Sequence, residues 1–498
     1  MMEFEASQKQ EDIFQEWRNT DNNLLINAVA GSGKTTTLLK LVEYCEYKTL
    51  FLAFNKSVQE EIQAKLDERG LVQGKSLTLH GLGLSAVRSF YSKIKVNKNK
   101  NFDILKKIQL DFKNTFKKYT WKERVKIGYS LMDMNDISRL FLTEDLKEIK
   151  KNLISMDKFL FEFEDLEELW EAFVEIRESM YSKRTLELDF VDMIYIPVIK
   201  NLHIPIDPYY LMVDESQDLN LCQHTLIDNL INQGDINKWI AVGDRNQSIY
   251  GFSGSYSSSF DLFLEKDNVK EFPLDICYRC PKAVIDSANE VYPVMEYSSP
   301  ANGIVGIEVD VSLIKDKSMV ICRNSSPLID LYFKLLGQNK ECYIKGEEIL
   351  QSIVRFLTPY KSVLVGTAKI EMSRKLMTLS LDMSSKGKME LYRFKENHAN
   401  FTKLSTHLCV SSNSISDLIY KLKSLFVSKK DAIMLCTIHK SKGLESDVVY
   451  ILNENLIPSK FAKSPEQLRQ EENLRYVART RAKKEMYFLN LNGKQDGN

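Results

Sequence analysis

One short turn near the start of the chain limits the fold more than any other stretch. The residues Asn27-Ala28-Val29-Ala30-Gly31-Ser32-Gly33-Lys34-Thr35 follow the apolar run Leu24-Leu25-Ile26 and precede a helix-forming segment. A strand, turn and helix of this kind direct backbone N–H groups at a phosphate, with the positive end of the helix dipole behind them. Lys34 then reaches the β- and γ-phosphates, and the Thr35 hydroxyl holds Mg²⁺. Ala28 stands where the general pattern has glycine, and a glycine turn without a ligand is the alternative.

The composition is that of a globular protein with large buried cores. Of the 498 residues, 44% are hydrophobic and 27% are charged, and this length predicts several domains. No stretch approaches the roughly 18 uninterrupted apolar residues of a membrane span, and the first residues lack the pattern of a signal peptide. We therefore expect a cytoplasmic protein with no membrane partner. The eight cysteines are mostly in apolar segments, which indicates reduced thiols, and the lone CxxC from Cys277 to Cys280 lacks the second pair of a zinc site.

Charge is distributed unevenly, although the formal net charge is zero. A nucleic-acid site would therefore need a local concentration of positive charge. Between Lys93 and Lys126, basic residues far outnumber acidic ones, and the stretch from Glu144 to Glu178 is acid-rich. A lysine run is also typical of a solvated helix face, so charge alone leaves both interpretations open.

Apolar strands alternate with helical segments in two parts of the chain, which predicts two parallel sheets. The first part contains strands at 24–26, 49–54, 76–79, 210–213 and 239–242. The second contains strands at 319–322, 432–436, 448–452 and 486–489. The predicted boundaries are 1–80 and 185–272 for the first lobe, 81–184 for a helical insertion in it, 273–358 and 431–498 for the second lobe, and 359–430 for a reduced insertion in that lobe.

An acidic pair follows one of the predicted strands. Asp214 and Glu215 come directly after Leu211-Met212-Val213, at the sheet edge where a doubly wound fold keeps its ligands. Asp214 is suited to hold Mg²⁺, and Glu215 to orient or deprotonate an attacking water. An acidic pair after a strand is common, but together with the upstream phosphate-binding loop it predicts hydrolysis of a nucleoside triphosphate.

The run Asp214-Glu215-Ser216-Gln217-Asp218-Leu219-Asn220 resembles motif II of superfamily 1 helicases of the UvrD, Rep and PcrA type. The blocks that resemble the family's other motifs follow in its order: Gln10 for the Q motif, Phe54-Asn55-Lys56 for Ia, Thr78-Leu79-His80 for Ib, 188–193 for the block before motif II, 243–252 for III, Tyr278-Arg279 for IV, Arg323-Asn324 downstream of it, 437–449 for V and 476–484 for VI. The resemblance covers nearly the whole chain. It implies an α/β fold of two RecA-like P-loop NTPase lobes with parallel sheets.

The resemblance also implies that ATP and Mg²⁺ bind in a cleft between the lobes. The implied nucleotide-binding residues are Gln10, Gly31, Ser32, Gly33, Lys34, Thr35, Thr36, Tyr278, Arg279, Glu445 and Arg481, with Thr35 and Asp214 on the metal and Lys34, Glu215, Gln247, Arg279 and Arg481 as the catalytic set. Gln10 would read adenine, Tyr278 would stack on it and Glu445 would accept a hydrogen bond from the ribose. The two arginines would neutralise charge on the transferred phosphoryl group. Surface ion pairing is the alternative for the arginines, and a cap is the alternative for Gln247.

A track for single-stranded DNA is implied as well. The residues on it would be Phe54, Asn55, Lys56, Thr78, His80, Phe252, Thr437 and His439. Aromatic rings stack on bases in single-strand grooves, although an aromatic after a strand is also common in a core, and a structural donor is the alternative for His80. The implied partners are single-stranded DNA, junctions of single- and double-stranded DNA, and replication or recombination proteins.

The chain departs from the family pattern in three places. Ser253 stands where the family usually has arginine, Arg479 occupies a usually apolar slot, and the second insertion is short. We expect an ATP-driven DNA helicase and translocase, with 3′-to-5′ polarity resting on the resemblance alone. Ser253 and the short second insertion favour an alternative function. In this alternative the protein is an ATP-driven remodeller that removes proteins from DNA without efficient unwinding. A helicase-nuclease would need a further acidic domain, and RNA as the track stays open because backbone contacts discriminate poorly.

Overall fold

The computed structural model describes residues 5–97, 100, 103, 118–156, 166–181, 186–251, 259–298, 301–308, 310–381, 385–408, 413–460 and 462–490. These residues form two compact units. The first contains the described residues through Ile276 together with Ser464–Gln470, and the second contains Cys277–Lys463 and the residues from Glu471 onward. Several lysines of the basic stretch, among them Lys98, Lys106 and Lys113, lie outside the described residues, so the interpretation of that stretch stays a prediction.

The first unit is built on a parallel sheet. Its strands are β1 Asn23–Ala28, β2 Thr49–Ala53, β3 Gly74–Thr78, β4 Ile94–Val96, β5 Leu186–Leu188, β6 Tyr210–Val213, β7 Lys238–Gly243 and β8 Val269–Leu274. Its helices are α1 Gln8–Asn19, α2 Lys34–Glu43, α3 Lys56–Glu68, α4 Leu79–Phe90, α5 Trp121–Leu140, α6 Leu146–Ser155, α7 Leu166–Tyr181, α8 Asp192–Ile199 and α9 Leu221–Asn232. The strand order is β3-β2-β6-β7-β1-β8, and β4 pairs separately with β5. Every residue of β2 and β7 is buried, as expected for parallel strands covered on both faces.

The second unit contains another parallel sheet. Its strands are β9 Ile276–Cys277, which begins in the first unit, β10 Glu296–Tyr297, β11 Ile304–Glu308, β12 Met319–Cys322, β13 Cys342–Lys345, β14 Ile433–Thr437, β15 Ser446–Leu452 and β16 Ala482–Leu489. Its helices are α10 Lys282–Asn289, α11 Ser325–Gly337, α12 Glu347–Leu357, α13 Val365–Ser380, α14 Ser385–Leu408, α15 Ile415–Leu425, α16 Ile438–Ser441 and α17 Pro465–Arg479, which belongs to this unit from Glu471 onward. The sheet order is β11-β16-β15-β12-β14-β13, and β9 pairs with β10. The predicted fold class, with two RecA-like lobes and parallel sheets, is confirmed.

The helices outside the two sheets are packed differently in the two units. In the first unit α5, α6 and α7 share a hydrophobic cluster of their own, which includes Leu131, Leu153 and Phe173. In the second unit the helices α12 to α15 contribute to the same core as the sheet, with Leu418 and Ile433 in one cluster. The domain boundaries stay predictions, but the second set of helices is built onto its sheet.

A buried ion network connects α5 with the first residue of α8 and with Asp189, which precedes that helix. The Arg139 guanidinium donates to both oxygens of Asp189, at 3.0 and 2.9 Å, and to Asp192 Oδ1 at 2.7 Å. The Lys100 ammonium lies 2.6 Å from the other oxygen of Asp192. Burial alone would raise the pKa of Asp192, but Arg139 and Lys100 outweigh burial and hold this pKa below its ordinary value.

Replacement of Arg139 by methionine is expected to lower the free energy of unfolding by about 3 to 5 kcal/mol, because it leaves buried carboxylates with too little positive charge. Urea unfolding followed by tryptophan fluorescence measures the effect. Lys95, which pairs with Glu187 on the surface, is the control, and Lys95→Met is expected to cost less than about 1 kcal/mol. Asp192 has a lowered pKa in the folded state. Its ionised form therefore contributes to the free energy of unfolding near neutral pH, and this contribution is lost as the pH falls through that pKa. Equal losses in the two variants would contradict the prediction.

Candidate nucleotide and nucleic-acid site

The strand order of the first unit gathers the predicted nucleotide-binding loops. Strands β6, β7 and β1 are neighbours, and they are parallel. Their carboxyl ends therefore meet at one edge, which is where α/β sheets bind ligands. The loop after β1 carries the predicted phosphate-binding residues, the loop after β6 carries Asp214 and Glu215, and the loop after β7 carries Gln247.

The loop between β1 and α2 has the backbone of a phosphate cradle. Gly31 and Gly33 have φ angles of 72° and 82°, in the left-handed region that favours glycine. Gly33 is the N-cap of α2 and has no side chain to cap it, so the first N–H groups of the helix need another acceptor. The Ser32 hydroxyl is buried and has no hydrogen-bond partner among the described residues. A phosphate would satisfy these donors, so the loop fits the predicted nucleotide.

A connected polar network joins the ends of β1, β6 and β7. Lys34 Nζ lies 3.5 Å from Glu215 Oε1. The Gln217 amide donates to Glu215, and its oxygen accepts the Asp244 N–H at 2.9 Å. Gln247 Nε2 donates to Asp244 Oδ2 at 2.7 Å. Burial raises the pKa of Asp244, although Lys34 and Gln247 oppose that shift. The structure thus brings together Lys34, Glu215 and Gln247.

Gln217 lies at the centre of this network but was not among the predicted site residues. A Cβ on Gly243 would lie 2.4 Å from Gln217 Oε1, so the glycine at the end of β7 leaves room for the amide. The available sequence signal is its place in the run 214–220, which resembles motif II. Its partner Asp244 is 27 residues away in the sequence, and only the strand order makes them neighbours.

The predicted metal ligands are oxygen donors at the same edge. Asp214 is buried, and its Oδ1 accepts the N–H of Glu215 at 2.9 Å. Thr35 is in the first turn of α2 and is partly exposed. No group of three or more His, Cys, Asp or Glu side chains in the described part of the chain is suited to hold a metal ion. A carboxylate and a hydroxyl still fit Mg²⁺, which is usually bound by one or two carboxylates, substrate phosphates and waters.

Gln10 and Thr36 are placed beside the phosphate-binding loop. Gln10 is buried in α1, and its Nε2 donates to Thr37 Oγ1 at 2.9 Å. Its Oε1 accepts the N–H of Ser7 at 3.0 Å and forms a capping box. Both ends of the amide therefore already make hydrogen bonds within the protein, although an amide NH₂ group has a second donor that could meet a base. The role of Gln10 in reading adenine stays a prediction, as does the role of Thr36, a partly exposed residue of α2.

The predicted polar DNA contacts of the first unit are at the carboxyl ends of β2 and β3. Asn55 is the N-cap of α3 and accepts the N–H of Val58 at 2.9 Å, and Thr78 is the N-cap of α4 and accepts the N–H of Gly81 at 3.0 Å. Both have a structural role that needs no DNA. Lys56 is exposed at the start of α3. Because β2 and β3 are neighbours, these residues share one edge, beside the nucleotide loops.

Aromatic rings accompany these residues. Phe54 stacks on Tyr250 with ring centroids 5.7 Å apart, and His80 meets Phe190 edge to face at 5.9 Å. Burial lowers the pKa of His80, so its imidazole is neutral near pH 7. Tyr250 and Phe190 were not predicted as site residues, although both are aromatics within motif-like blocks and Phe190 is 49% exposed. Phe252 and Ser253 lie outside the described residues.

Two of the predicted nucleotide residues of the second unit, Glu445 and Arg481, lie at the amino ends of neighbouring strands. Ser446 of β15 pairs with Ala482 of β16, so Glu445 and Arg481, which precede these strands, are brought near each other. Arg279 Nε lies 2.7 Å from Glu445 Oε2. Two of the predicted residues are therefore already paired with each other.

Tyr278 and Arg481 differ in exposure. The Tyr278 ring is 48% exposed, as expected of a ring that stacks on a base. Arg481 is 1% exposed, and its guanidinium donates to the Val477 carbonyl at 2.8 Å and to Thr480 Oγ1 at 2.9 Å. Its contact with a phosphate stays a prediction, because the guanidinium is buried in this structure.

Thr437 and His439 lie at the end of β14. Thr437 is the N-cap of α16 and accepts the N–H of Lys440 at 3.4 Å. Burial, together with Arg323 and Lys440, lowers the pKa of His439 to about 3. His439 is therefore neutral and offers a hydrogen bond rather than a positive charge to any DNA.

Comparisons with known sequences find DNA helicases. The family model described as the UvrD/REP helicase N-terminal domain matches residues 7–268. The chain is 23% identical over 619 residues to the ATP-dependent DNA helicase Rep of Buchnera aphidicola subsp. Schizaphis graminum, with 93% of this chain and 90% of that protein covered. It is 28% identical over 294 residues to the ATP-dependent DNA helicase PcrA of Staphylococcus epidermidis, with 55% and 38% covered.

Among solved structures, the arterivirus nonstructural protein 10 helicase matches with a TM-score of 0.36 and 14% identity, over 95% of this chain and 60% of that one. A complex of that viral helicase with DNA matches with a TM-score of 0.37 and 13% identity, over 95% and 62%. In the described part of the chain, no helix has the length and apolar character needed to cross a membrane.

Proposed function

This chain belongs to the UvrD/REP helicase family, and we propose that it is an ATP-hydrolysing DNA translocase and helicase. The observation that carries the proposal is the network that joins Lys34, Glu215 and Gln247 at the edge where the phosphate-binding loop ends. A P-loop lysine, an acidic residue and a polar γ-phosphate sensor are the parts that phosphoryl transfer to water requires.

In this proposal the residues of the first lobe bind the triphosphate and activate water. Lys34 and the N–H groups of the loop hold the phosphates, and Glu215 orients the attacking water and takes its proton. Gln247 senses the γ-phosphate and reports its loss through Asp244 and Gln217. Bound Mg²⁺, held by Thr35 and Asp214, would neutralise charge on the phosphate oxygens.

The second lobe supplies the nucleotide's other contacts. Tyr278 stacks on adenine and Glu445 binds the ribose. Arg279 and Arg481 neutralise the charge of the transferred phosphoryl group, an effect worth about 10³ to 10⁵ in rate for arginine fingers. When Glu445 turns to the ribose, the Arg279 guanidinium it now holds at 2.7 Å is released for the phosphate.

We propose that Phe54, Tyr250, Phe252 and the polar residues at the ends of β2, β3 and β14 form the single-strand track, with 3′-to-5′ polarity. Single-stranded DNA and junctions with duplex are the substrates. The helical insertion 81–184 and the reduced insertion 359–430 are the proposed accessory domains.

ATPase assays with and without oligonucleotides test the proposal, followed by unwinding of duplexes with 3′ or 5′ tails. We expect stimulation by single-stranded DNA and unwinding from the 3′ tail. No ATPase activity under any of these conditions would overturn the enzymatic assignment, and unwinding from the 5′ tail alone would overturn the polarity. The same assays with RNA oligonucleotides test whether the protein translocates on DNA or on RNA.

One observation favours a remodeller that translocates without efficient unwinding. Arg245 and Lys440 are the two candidates to supply the basic contact that is missing at Ser253. The Arg245 guanidinium lies 2.8 Å from Asp261 and 2.6 Å from Glu271, and it also lies over the Phe260 ring. These ion pairs hold Arg245 within its own lobe. Displacement of streptavidin from biotinylated DNA without strand displacement would favour this alternative.

Replacement of Phe54 by alanine is expected to weaken binding of an oligothymidylate by about 1 to 3 kcal/mol, because a base loses its stacking surface. Fluorescence anisotropy in the absence of ATP measures the affinity. Tyr47, an exposed aromatic that precedes β2 at the opposite end of that strand, is the matched control. Unchanged affinity in Phe54→Ala, or an equal loss in Tyr47→Ala, would remove Phe54 from the track.

A further inference from the structure

Arg479, the last residue of α17, is a charged side chain in an almost fully buried position. Its guanidinium donates to both oxygens of Glu454, at 2.8 and 3.1 Å. A further nitrogen donates to the Ser287 carbonyl at 2.8 Å and to Glu290 at 2.6 Å. The same guanidinium lies 5.2 Å from the centre of the Phe488 ring. A planar fork with this many donors is specific to arginine.

These bonds connect three separate elements of the second unit. Ser287 is on α10 and Glu290 directly follows it, while Glu454 is in the short 3₁₀ turn after β15. The C-terminal end of α10 is therefore fixed to the C-terminal end of α17. Hydrogen bonds that involve a charged group are stronger than neutral ones. The bonds of Arg479 therefore hold the ends of α10 and α17 firmly together.

A predicted nucleotide-binding residue lies close to each of these two helices in the sequence. Arg279 lies a few residues before the start of α10, and Arg481 lies two residues after Arg479. Arg481 donates to the Val477 carbonyl in the last turn of α17, so its direction depends on how that turn is placed. The Cys280 thiol donates to the Thr480 carbonyl at 3.6 Å, which brings the Arg279 segment against the residue between Arg479 and Arg481.

We propose that Arg479 is a positioning residue for ATP hydrolysis. It fixes the end of α17 against α10 and thereby sets the direction of Arg481 relative to Arg279. The inference rests on the proposed function, because it assumes that both arginines act on the transferred phosphoryl group. Arg479 itself makes no contact with the nucleotide in this proposal, and its effect passes through Arg481.

The test compares kcat and KM for DNA-stimulated ATP hydrolysis in Arg479→Met, Arg479→Lys and the wild type. We expect kcat to fall about 10- to 100-fold in Arg479→Met, the range for a misplaced catalytic group, with KM for ATP nearly unchanged. Arg479→Lys is expected to recover part of kcat, because a lysine keeps the charge but not the fork. The control is Arg475→Met, one turn earlier on α17, which removes bonds to Glu472 and the Ile457 carbonyl and is expected to leave kcat unchanged.

A double-mutant cycle separates positioning from general destabilisation. If Arg479 acts through Arg481, Arg481→Ala combined with Arg479→Met is expected to have the same kcat as Arg481→Ala alone. Additive losses, or an equal fall of kcat in Arg475→Met, would overturn the inference. The melting temperature of Arg479→Met shows whether this variant is folded. If it is not, the double-mutant cycle is measured with Arg479→Lys in its place. An inactive wild type would instead count against the proposed function.

Discussion

Replacement of Lys34 by alanine is expected to lower DNA-stimulated ATP hydrolysis by about 10³-fold or more, because it removes the cation proposed to bind the β- and γ-phosphates. Lys34 Nζ lies 3.5 Å from Glu215 Oε1, and Lys34 is the first residue of α2, so its charge lies beside the proposed general base. The backbone N–H groups of the loop remain in the variant but cannot supply a full positive charge. Steady-state phosphate release with and without oligothymidylate measures the loss.

The same variant is expected to bind single-stranded DNA normally, because Phe54, Asn55 and Thr78 lie at the ends of β2 and β3 rather than β1. Lys40→Ala is the matched control, since Lys40 is on the same helix and pairs with Glu43 near the surface. Wild-type ATPase activity in Lys34→Ala would contradict the assignment of residues 28–35 as a phosphate-binding loop. A similar loss in Lys40→Ala would point to damage of α2 as a whole.

The residues of the phosphate-binding loop could be placed from sequence because their function depends on local structure. A strand, two glycines with positive φ and a helix start are encoded within one short stretch, and a turn of this kind is suited to bind a phosphate. The acidic pair after β6 is local in the same way. Asn55, Thr78 and Thr437 lie at or just after the carboxyl ends of strands, and the structure adds that each is a helix N-cap. A polar residue at such a position has a structural reason to be there as well as the predicted contact with DNA.

The contacts that join distant segments could not be predicted. Gln217 binds the backbone of Asp244 only because β6 and β7 are neighbours in the sheet, and the alternation of strands and helices does not specify strand order. The pairing of Arg279 with Glu445 joins the residues before α10 to the start of β15. The bonds of Arg479 to Ser287 and Glu290 depend on how α10 and α17 pack. Burial of Arg481 depends on the same packing. Sequence patterns therefore identified the chemical groups, and the tertiary structure decided which of them are engaged with each other.

Replacement of Glu215 by glutamine is expected to lower kcat for ATP hydrolysis by about 10² to 10⁴-fold, the usual contribution of a general base. Glutamine keeps the size of the side chain and still accepts a hydrogen bond from Gln217, but it cannot take a proton from water. Glu215 has a φ of 51°, an unusual backbone for a residue other than glycine. A change of shape there would disturb the loop, which makes glutamine a better test than alanine.

ATP binding is expected to survive in Glu215→Gln, because Lys34, Thr35 and the loop N–H groups are unchanged. It should be as strong as in the wild type or stronger, since a negative charge near the phosphates is removed. A fluorescent ATP analogue measures binding, and a single-turnover experiment measures hydrolysis of the bound nucleotide. Glu43→Gln, at the exposed end of α2, is the control and is expected to hydrolyse ATP normally. If Glu215→Gln hydrolyses bound ATP at the wild-type rate, the proton acceptor is another group, and Asp244, whose pKa is raised by burial, becomes the residue to replace next.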